Sequence, residues 1–245
     1  MIERVALVTG ASRGIGRAVS RRLAQAGYRV ALNARSEDGL RDGVDELRRA
    51  GHAVLGVAAD VTSSTDVEAM VERVRTTWGR LDVLATCAGI FQARPFAELG
   101  ERDWRQMIEV HLTGTFLCCH HAAPVMVGQG RGAIVTVSST SGLTGGTSGA
   151  HYAAAKGGVL AFSKALAKEL APSGVRVNTV IPSKVETDML QGTLDAGHGD
   201  ALARAIPLGR WGRPDEVAAV IAFLASDDAS YVVGAAVPVT GGYGI

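Results

Sequence analysis

Residues 4–16 read Arg4-Val5-Ala6-Leu7-Val8-Thr9-Gly10-Ala11-Ser12-Arg13-Gly14-Ile15-Gly16. A short apolar run ends in a turn holding three glycines, and an amphipathic stretch follows at once. This is a buried strand feeding a helix. Gly10 and Gly14 permit a tight turn and close approach of the backbone to a pyrophosphate, and Gly16 permits close packing of helix on strand. The free N–H groups of the helix start, Ser12 to Gly16, and its partial positive charge suit phosphate. A glycine triplet alone is a weak signal, and a surface turn would explain it equally well. Its place between a strand and a helix points to a dinucleotide.

The same alternation continues down the chain. Strands are expected at 4–9, 29–34, 53–59, 82–86, 133–138, 176–181 and 236–240, and helices at 14–26, 38–50, 64–78, 103–127, 152–170 and 214–225. Strands separated by helical stretches form βαβ units around a parallel sheet. The expectation is an α/β protein: a single-domain Rossmann fold over 1–245, doubly wound, with seven parallel strands and helices on both faces. Only 186–213 breaks the pattern, with several glycines and no strand, and is expected to be a flap over a site.

Bulk composition excludes several classes. Of 245 residues 31 are Gly, against a usual level of roughly 7%. The excess has no collagen period, and 47% hydrophobic residues with only 7 Pro exclude disorder. A net charge of +1 without a basic stripe argues against a nucleic-acid partner. The start reads as a strand rather than a signal peptide. The longest uncharged stretches carry His, Ser, Thr, Gly and Pro and do not resemble membrane spans. Three cysteines, Cys87, Cys118 and Cys119, make no disulfide framework, so a cytoplasmic location is expected.

The end of the second strand selects the dinucleotide. NAD-binding chains place a carboxylate there, roughly twenty residues past the turn, for the ribose 2′-hydroxyl. Here it reads Asn33-Ala34-Arg35-Ser36. Arg35, together with Arg13, is suited to a 2′-phosphate, so NADPH/NADP+ is the expected cofactor. Asp60, after the third strand, is placed for the adenine amino group, beside Val61.

Tyr152 and Lys156 stand at i, i+4 and share a helix face. Ser139 precedes the tyrosine across a Gly/Ser/Thr loop. Reduction of a ketone needs a hydride, a proton for the developing alkoxide and a group that polarises the carbonyl. A phenol of pKa about 10 can give that proton if a cation lowers its pKa. Lys156 is expected to be that cation, and Ser139 to hydrogen-bond the carbonyl oxygen. A packed tyrosine beside a solvated lysine is the plain alternative for this pair taken alone.

TGASRGIG, IVTVSSTSG, Tyr152-Ala-Ala-Ala-Lys156 and VNTVIPSKVETDM, in this order, resemble the short-chain dehydrogenase/reductase family over almost the whole chain. The ketoreductase type, with 3-oxoacyl carrier-protein reductases and polyketide ketoreductases, is the nearest in kind. The resemblance implies catalytic Ser139, Tyr152 and Lys156. It also implies dinucleotide contacts from Ala88, Gly89, Pro182, Val185 and Thr187, with Lys156 on the nicotinamide ribose. A dimer or tetramer built from helix pairs is implied as well. Three positions depart from the family pattern. Thr86-Cys87-Ala88-Gly89 stands for N-N-A-G, with Gly89 keeping the close approach to the cofactor and the Thr86 hydroxyl expected to replace part of the amide bonding. His111 stands for a helix Asn, and its carbonyl could hold a water on the lysine while its imidazole relays protons. Pro182-Ser183 stands for P-G.

Cys118-Cys119-His120-His121 has the composition of a metal site without the geometry. Consecutive helical residues point about 100° apart, so the four cannot converge on one ion, and packing is expected instead. The flap offers no clamp for a phosphate or carboxylate, which favours a moderately apolar ketone of polyketide type. For a carrier-protein reductase of fatty-acid type the basic docking positions read Gly130 and Ser173, with Arg131 and Arg176 close by. A non-catalytic NADP-binding regulator is the reading from another class.

Overall fold

Val5–Thr9 (β1) is buried along its whole length inside the sheet of the computed structural model, which describes residues 3–146, 148–187 and 203–244. Its neighbours follow from the chain's alternation. Gly14–Gln25 (α1), Arg29–Ala34 (β2), Glu37–Arg49 (α2), Val54–Ala58 (β3), Ser64–Trp78 (α3) and Val83–Thr86 (β4) come first. Then come Glu101–Ile108 (α4), Gly114–Gln129 (α5), Gly132–Val137 (β5), Ser141–Thr144 (α6), Ala150–Leu170 (α7), Val175–Pro182 (β6), Pro214–Ala225 (α8) and Ala236–Val239 (β7). Among these residues the strands form one parallel sheet in the order β3-β2-β1-β4-β5-β6-β7. The order reverses at β1, and the crevice beside that switch point is where such sheets bind ligands.

The period of two along each strand divides the core. Ala6 and Val8 face α1, α2 and α8, packing on Val19, Leu23, Leu40 and Ile221. Val5 and Leu7 face α3, α5 and α7, packing among Met70, Val74, Cys118 and Met126. Both faces are covered, which is why the strands read as continuous apolar runs. Cys118 and Cys119 belong to this packing, and among the described residues no cluster of potential ligands could hold a metal.

Local chemistry sets the ends. Ser36 and Ser63 cap α2 and α3 by accepting from Gly39 N and Asp66 N. Gly79 and Gly130 close α3 and α5 in the left-handed region. Asn178 bridges β6 to the approach of β7, donating to Val232 O at 2.8 Å and accepting from Ala235 N at 2.9 Å.

The helix expected over 103–127 is continuous from Glu101 to Gln129, and a π-helical turn over Glu109–Thr113, which contains His111, divides it into α4 and α5. Of the expected flap, residues 188–202 lie outside the described ones. Its described flanks are tied down: Val185 bridges Gly212, and Leu208 N donates to Gly241 O at 3.1 Å. No helix among the described residues is long and apolar enough to cross a membrane.

Candidate active site

The end of β1 and the start of α1 form one wall of a cavity of about 380 Å³. Gly10 (φ +64°) and Gly14 (φ +54°) are in the left-handed region. A Cβ on Gly10 would lie 2.6 Å from Ala88 Cα, and one on Gly16 would lie 2.2 Å from Gly10 O. The turn is therefore closed to every other residue by backbone, and Thr9 Oγ1, accepting from Ala88 N at 3.2 Å, fastens it to the loop after β4. Ser12, Arg13 and Ile15 line the cavity with these glycines. Arg35, Asp60 and Val61 close one end, and Ala88, Gly89 and Thr187 the other. The cradle of free backbone, with no carboxylate at the end of β2, fits a dinucleotide. Arg13 and Arg35 are exposed there, with no carboxylate within 4 Å among the described residues. Asp60 Oδ1 also accepts from Thr62 N and Oγ1, at 2.9 and 2.8 Å, so its orientation is fixed.

A second cavity, about 120 Å³, opens from the first through Ile15, Cys87, Ala88, Gly89 and Thr187, which line both. Ser139, Tyr152, Lys156, His111, Pro182 and Val185 meet in it. Ser139 leaves β5 buried, accepting from Ser141 N at 3.2 Å. Ser138 Oγ donates to Lys156 O at 2.8 Å, which docks α7 on the strand end. Gly142 lets α6 approach α7: a Cβ there would lie 2.7 Å from the carbonyl carbon of Lys156.

The electrostatics differ from expectation at two residues. Lys156 was expected to lower the phenol's pKa, yet Tyr152 stands above the ordinary tyrosine value because it is buried, and the group that draws it down is the hydrogen-bonded Ser139. Lys156 Nζ donates to Val137 O at 2.7 Å and lies 5.9 Å from the centre of the Tyr152 ring. Burial lowers its pKa to about 8.

His111, expected to relay protons, is held against the loop after β4. Nε2 lies 2.7 Å from Ile90 O and 3.2 Å from Ile90 N, so it is tied to that residue in either tautomer, while Nδ1 is buried without a partner. Burial lowers its pKa to about 3, so the ring is neutral. It packs edge-on against Tyr152, with centroids 5.4 Å apart, and its carbonyl accepts from Thr115 Oγ1 at 2.7 Å. Gly89 lines the glycine-turn cavity, where it was expected to let the backbone approach the cofactor, and it also makes room for this ring: a Cβ there would lie 2.6 Å from His111 Cε1. The Thr86 hydroxyl is buried without a partner, so it replaces no amide bond. Lys184, Phe91 and Cys87 also line the second cavity and were missed. The only signal for Lys184 was its position inside VIPSKVET, as one of four lysines in the chain.

Comparison with known proteins agrees with this architecture. Residues 10–244 match the family model described as enoyl-(acyl carrier protein) reductase. Over 242 residues the chain is 46% identical to the cis-4-hydroxycyclohexanecarboxylate dehydrogenase of Sinomonas cyclohexanicum, covering 98% of this chain and 96% of that protein. Over 238 residues it is 40% identical to the 3-oxoacyl-[acyl-carrier-protein] reductase of Staphylococcus aureus, covering 97% and 96%. A solved actinorhodin polyketide ketoreductase variant with NADPH superposes with a TM-score of 0.95 at 38% identity, covering 99% of this chain and 97% of that one. The chain belongs to the short-chain dehydrogenase/reductase family and is an oxidoreductase acting on CH–OH and C=O groups.

Proposed function

We propose that this chain is an NADPH-dependent ketoreductase, interconverting a compact ketone and its secondary alcohol. The observation that carries the reading is the meeting of Ser139, Tyr152 and Lys156 in a cavity that opens into the glycine-turn cavity. When bound, the dinucleotide supplies the hydride. Gly10–Gly16 would hold its phosphates, Arg35 and Arg13 the 2′-phosphate, and Asp60 and Val61 the adenine. Thr187, Pro182 and the backbone of Val185 would hold the nicotinamide end.

The chain's own groups do the rest. Burial keeps Tyr152 protonated well above neutral pH, so its hydroxyl has a proton to give to the developing alkoxide. Ser139 Oγ, hydrogen-bonded to that hydroxyl, orients it and bonds the carbonyl oxygen. The Lys156 ammonium, held by Val137 O, places positive charge beside the ring and would hydrogen-bond the nicotinamide ribose of a bound dinucleotide. His111 holds the 89–91 loop and one face of Tyr152, so it is a positioning residue.

A cyclic substrate fits the small cavity, and the name of the Sinomonas relative describes a hydroxylated ring acid. The carrier-protein alternative loses support from the surface. Arg131 pairs with Asp227 at 3.2 Å, and Arg176 donates to Leu224 O and Ser226 O at 2.8 and 2.9 Å, so both are already engaged. A non-catalytic regulator has no need of an assembled triad. A cytoplasmic dimer or tetramer is part of this reading, and the three cysteines are free. The test is ketone-dependent loss of NADPH absorbance, with 4-oxocyclohexanecarboxylate and cyclohexanone as first substrates. Tight NADPH binding without turnover of any ketone would favour the regulator.

A further inference from the structure

Lys184 sits just past the end of β6, on backbone that cannot easily shift. Gly212 N donates to Lys184 O at 2.9 Å, and Ser183 Oγ donates to Thr240 O at 3.0 Å. Its ammonium lies 5.8 Å above the Tyr243 ring, within reach of a cation–π contact. Lys184 lines the same cavity as Ser139 and Tyr152. No Asp or Glu lines that cavity among the described residues. The other lysine there, Lys156, is already bonded to Val137 O, and His111 is neutral. Lys184 is half-buried, is in no ion pair among the described residues, and has its pKa lowered by burial. A partly desolvated ammonium without an anion is unfavourable by itself and is relieved by a carboxylate.

We propose that Lys184 is a specificity-determining residue that binds a carboxylate on the substrate, so that the preferred ketones are oxo acids and the preferred alcohols hydroxy acids. This rests on the ketoreductase reading: the carbonyl lies at Ser139 and Tyr152 while the carboxylate, elsewhere on the same molecule, reaches Lys184. The apolar ketone expected from the flap is thereby replaced by an amphipathic one. Tyr243, with its ring centre 5.8 Å from the ammonium, is the cation's aromatic neighbour.

The test compares 4-oxocyclohexanecarboxylate with its methyl ester, a pair alike in ring and carbonyl and different in charge. The wild type should favour the acid in kcat/KM by about tenfold or more. In Lys184→Met that ratio should fall to about one, mainly through the KM of the acid, and Lys184→Arg should restore most of it. A wild type indifferent to charge, or a Lys184→Met variant that loses acid and ester equally, overturns the proposal. A binding arm separates this from failure of the ketoreductase reading. With NADP+ present, cyclohexanecarboxylate should bind the wild type more tightly than cyclohexanecarboxamide, and Lys184→Met should abolish the difference. If neither ketone is reduced but this difference holds, the reaction is wrong and the anion site stands. If the difference is absent, the anion site falls.

Discussion

Gly89 and His111 are a matched pair: a Cβ on residue 89 would lie 2.6 Å from His111 Cε1. The imidazole cannot step aside, because it is 2% exposed and bonded to Ile90 O. Gly89→Ala should therefore destabilise the fold by about 1–3 kcal/mol through overpacking. In a His111→Asn background the same change should cost less. Chemical denaturation of the four proteins measures the coupling. Equal costs in both backgrounds would show that the ring is not what Gly89 accommodates.

The same histidine sets a pH dependence of stability. Unfolded, its imidazole titrates near 6.5, whereas in the fold its pKa is about 3. Between those values the unfolded chain takes up a proton that the folded one refuses. The stabilisation is complete above pH 6.5 and is lost progressively as the pH falls toward 3. Across that window the unfolding free energy of the wild type should fall up to about 1.4 kcal/mol per pH unit more steeply than that of His111→Asn. Parallel curves would contradict the assigned burial.

Much of this architecture can be read from the sequence, and the misses have a common cause. Apolar runs with Gly/Ser/Asp punctuation located all seven strands within a residue or two, because both faces of the sheet are covered. The turn from Gly10 to Gly16 was legible because its two ends are close in sequence. What escaped was contact between distant segments. The π-turn over Glu109–Thr113 lies inside an unbroken run of helical residues, so the sequence showed one helix and not where its hydrogen bonding changes. Gly89 carries no sign of which group crowds it, and here it is a ring 22 residues away. Lys156 and Lys184 look alike as letters. Both line the second cavity, and only the ends of β5 and β6 decide that Lys156 is bonded to Val137 O while Lys184 lies over the Tyr243 ring.

The proposed 2′-phosphate site makes Arg35 the residue that sets the coenzyme preference. Arg35→Ala should weaken NADPH binding by about tenfold while moving NADH by less than twofold, since only the former has a 2′-phosphate. Titration of both reduced coenzymes by fluorescence measures this. Equal weakening of the two would remove Arg35 from the 2′-phosphate site.

The cysteines should be inert in the native protein. Burial pushes Cys87 and Cys118 to about 12 and raises Cys119 well above its ordinary value, so thiolate is scarce at pH 8. Iodoacetamide should label none of the three until denaturant is added. Mass spectrometry reads the outcome, and rapid labelling of Cys87, which lines both cavities, would show a more solvated site.

In the proposed reaction Tyr152 gives the proton to a ketone held by Ser139, beside the Lys156 charge. The most direct measurement pairs two readouts on Tyr152→Phe, turnover of 4-oxocyclohexanecarboxylate and binding of NADPH. The substitution removes one hydroxyl and keeps the ring against His111 and Phe91. Turnover should fall by about 10²–10⁴-fold while NADPH affinity stays within about threefold. A variant that retains wild-type turnover with NADPH bound would contradict the account.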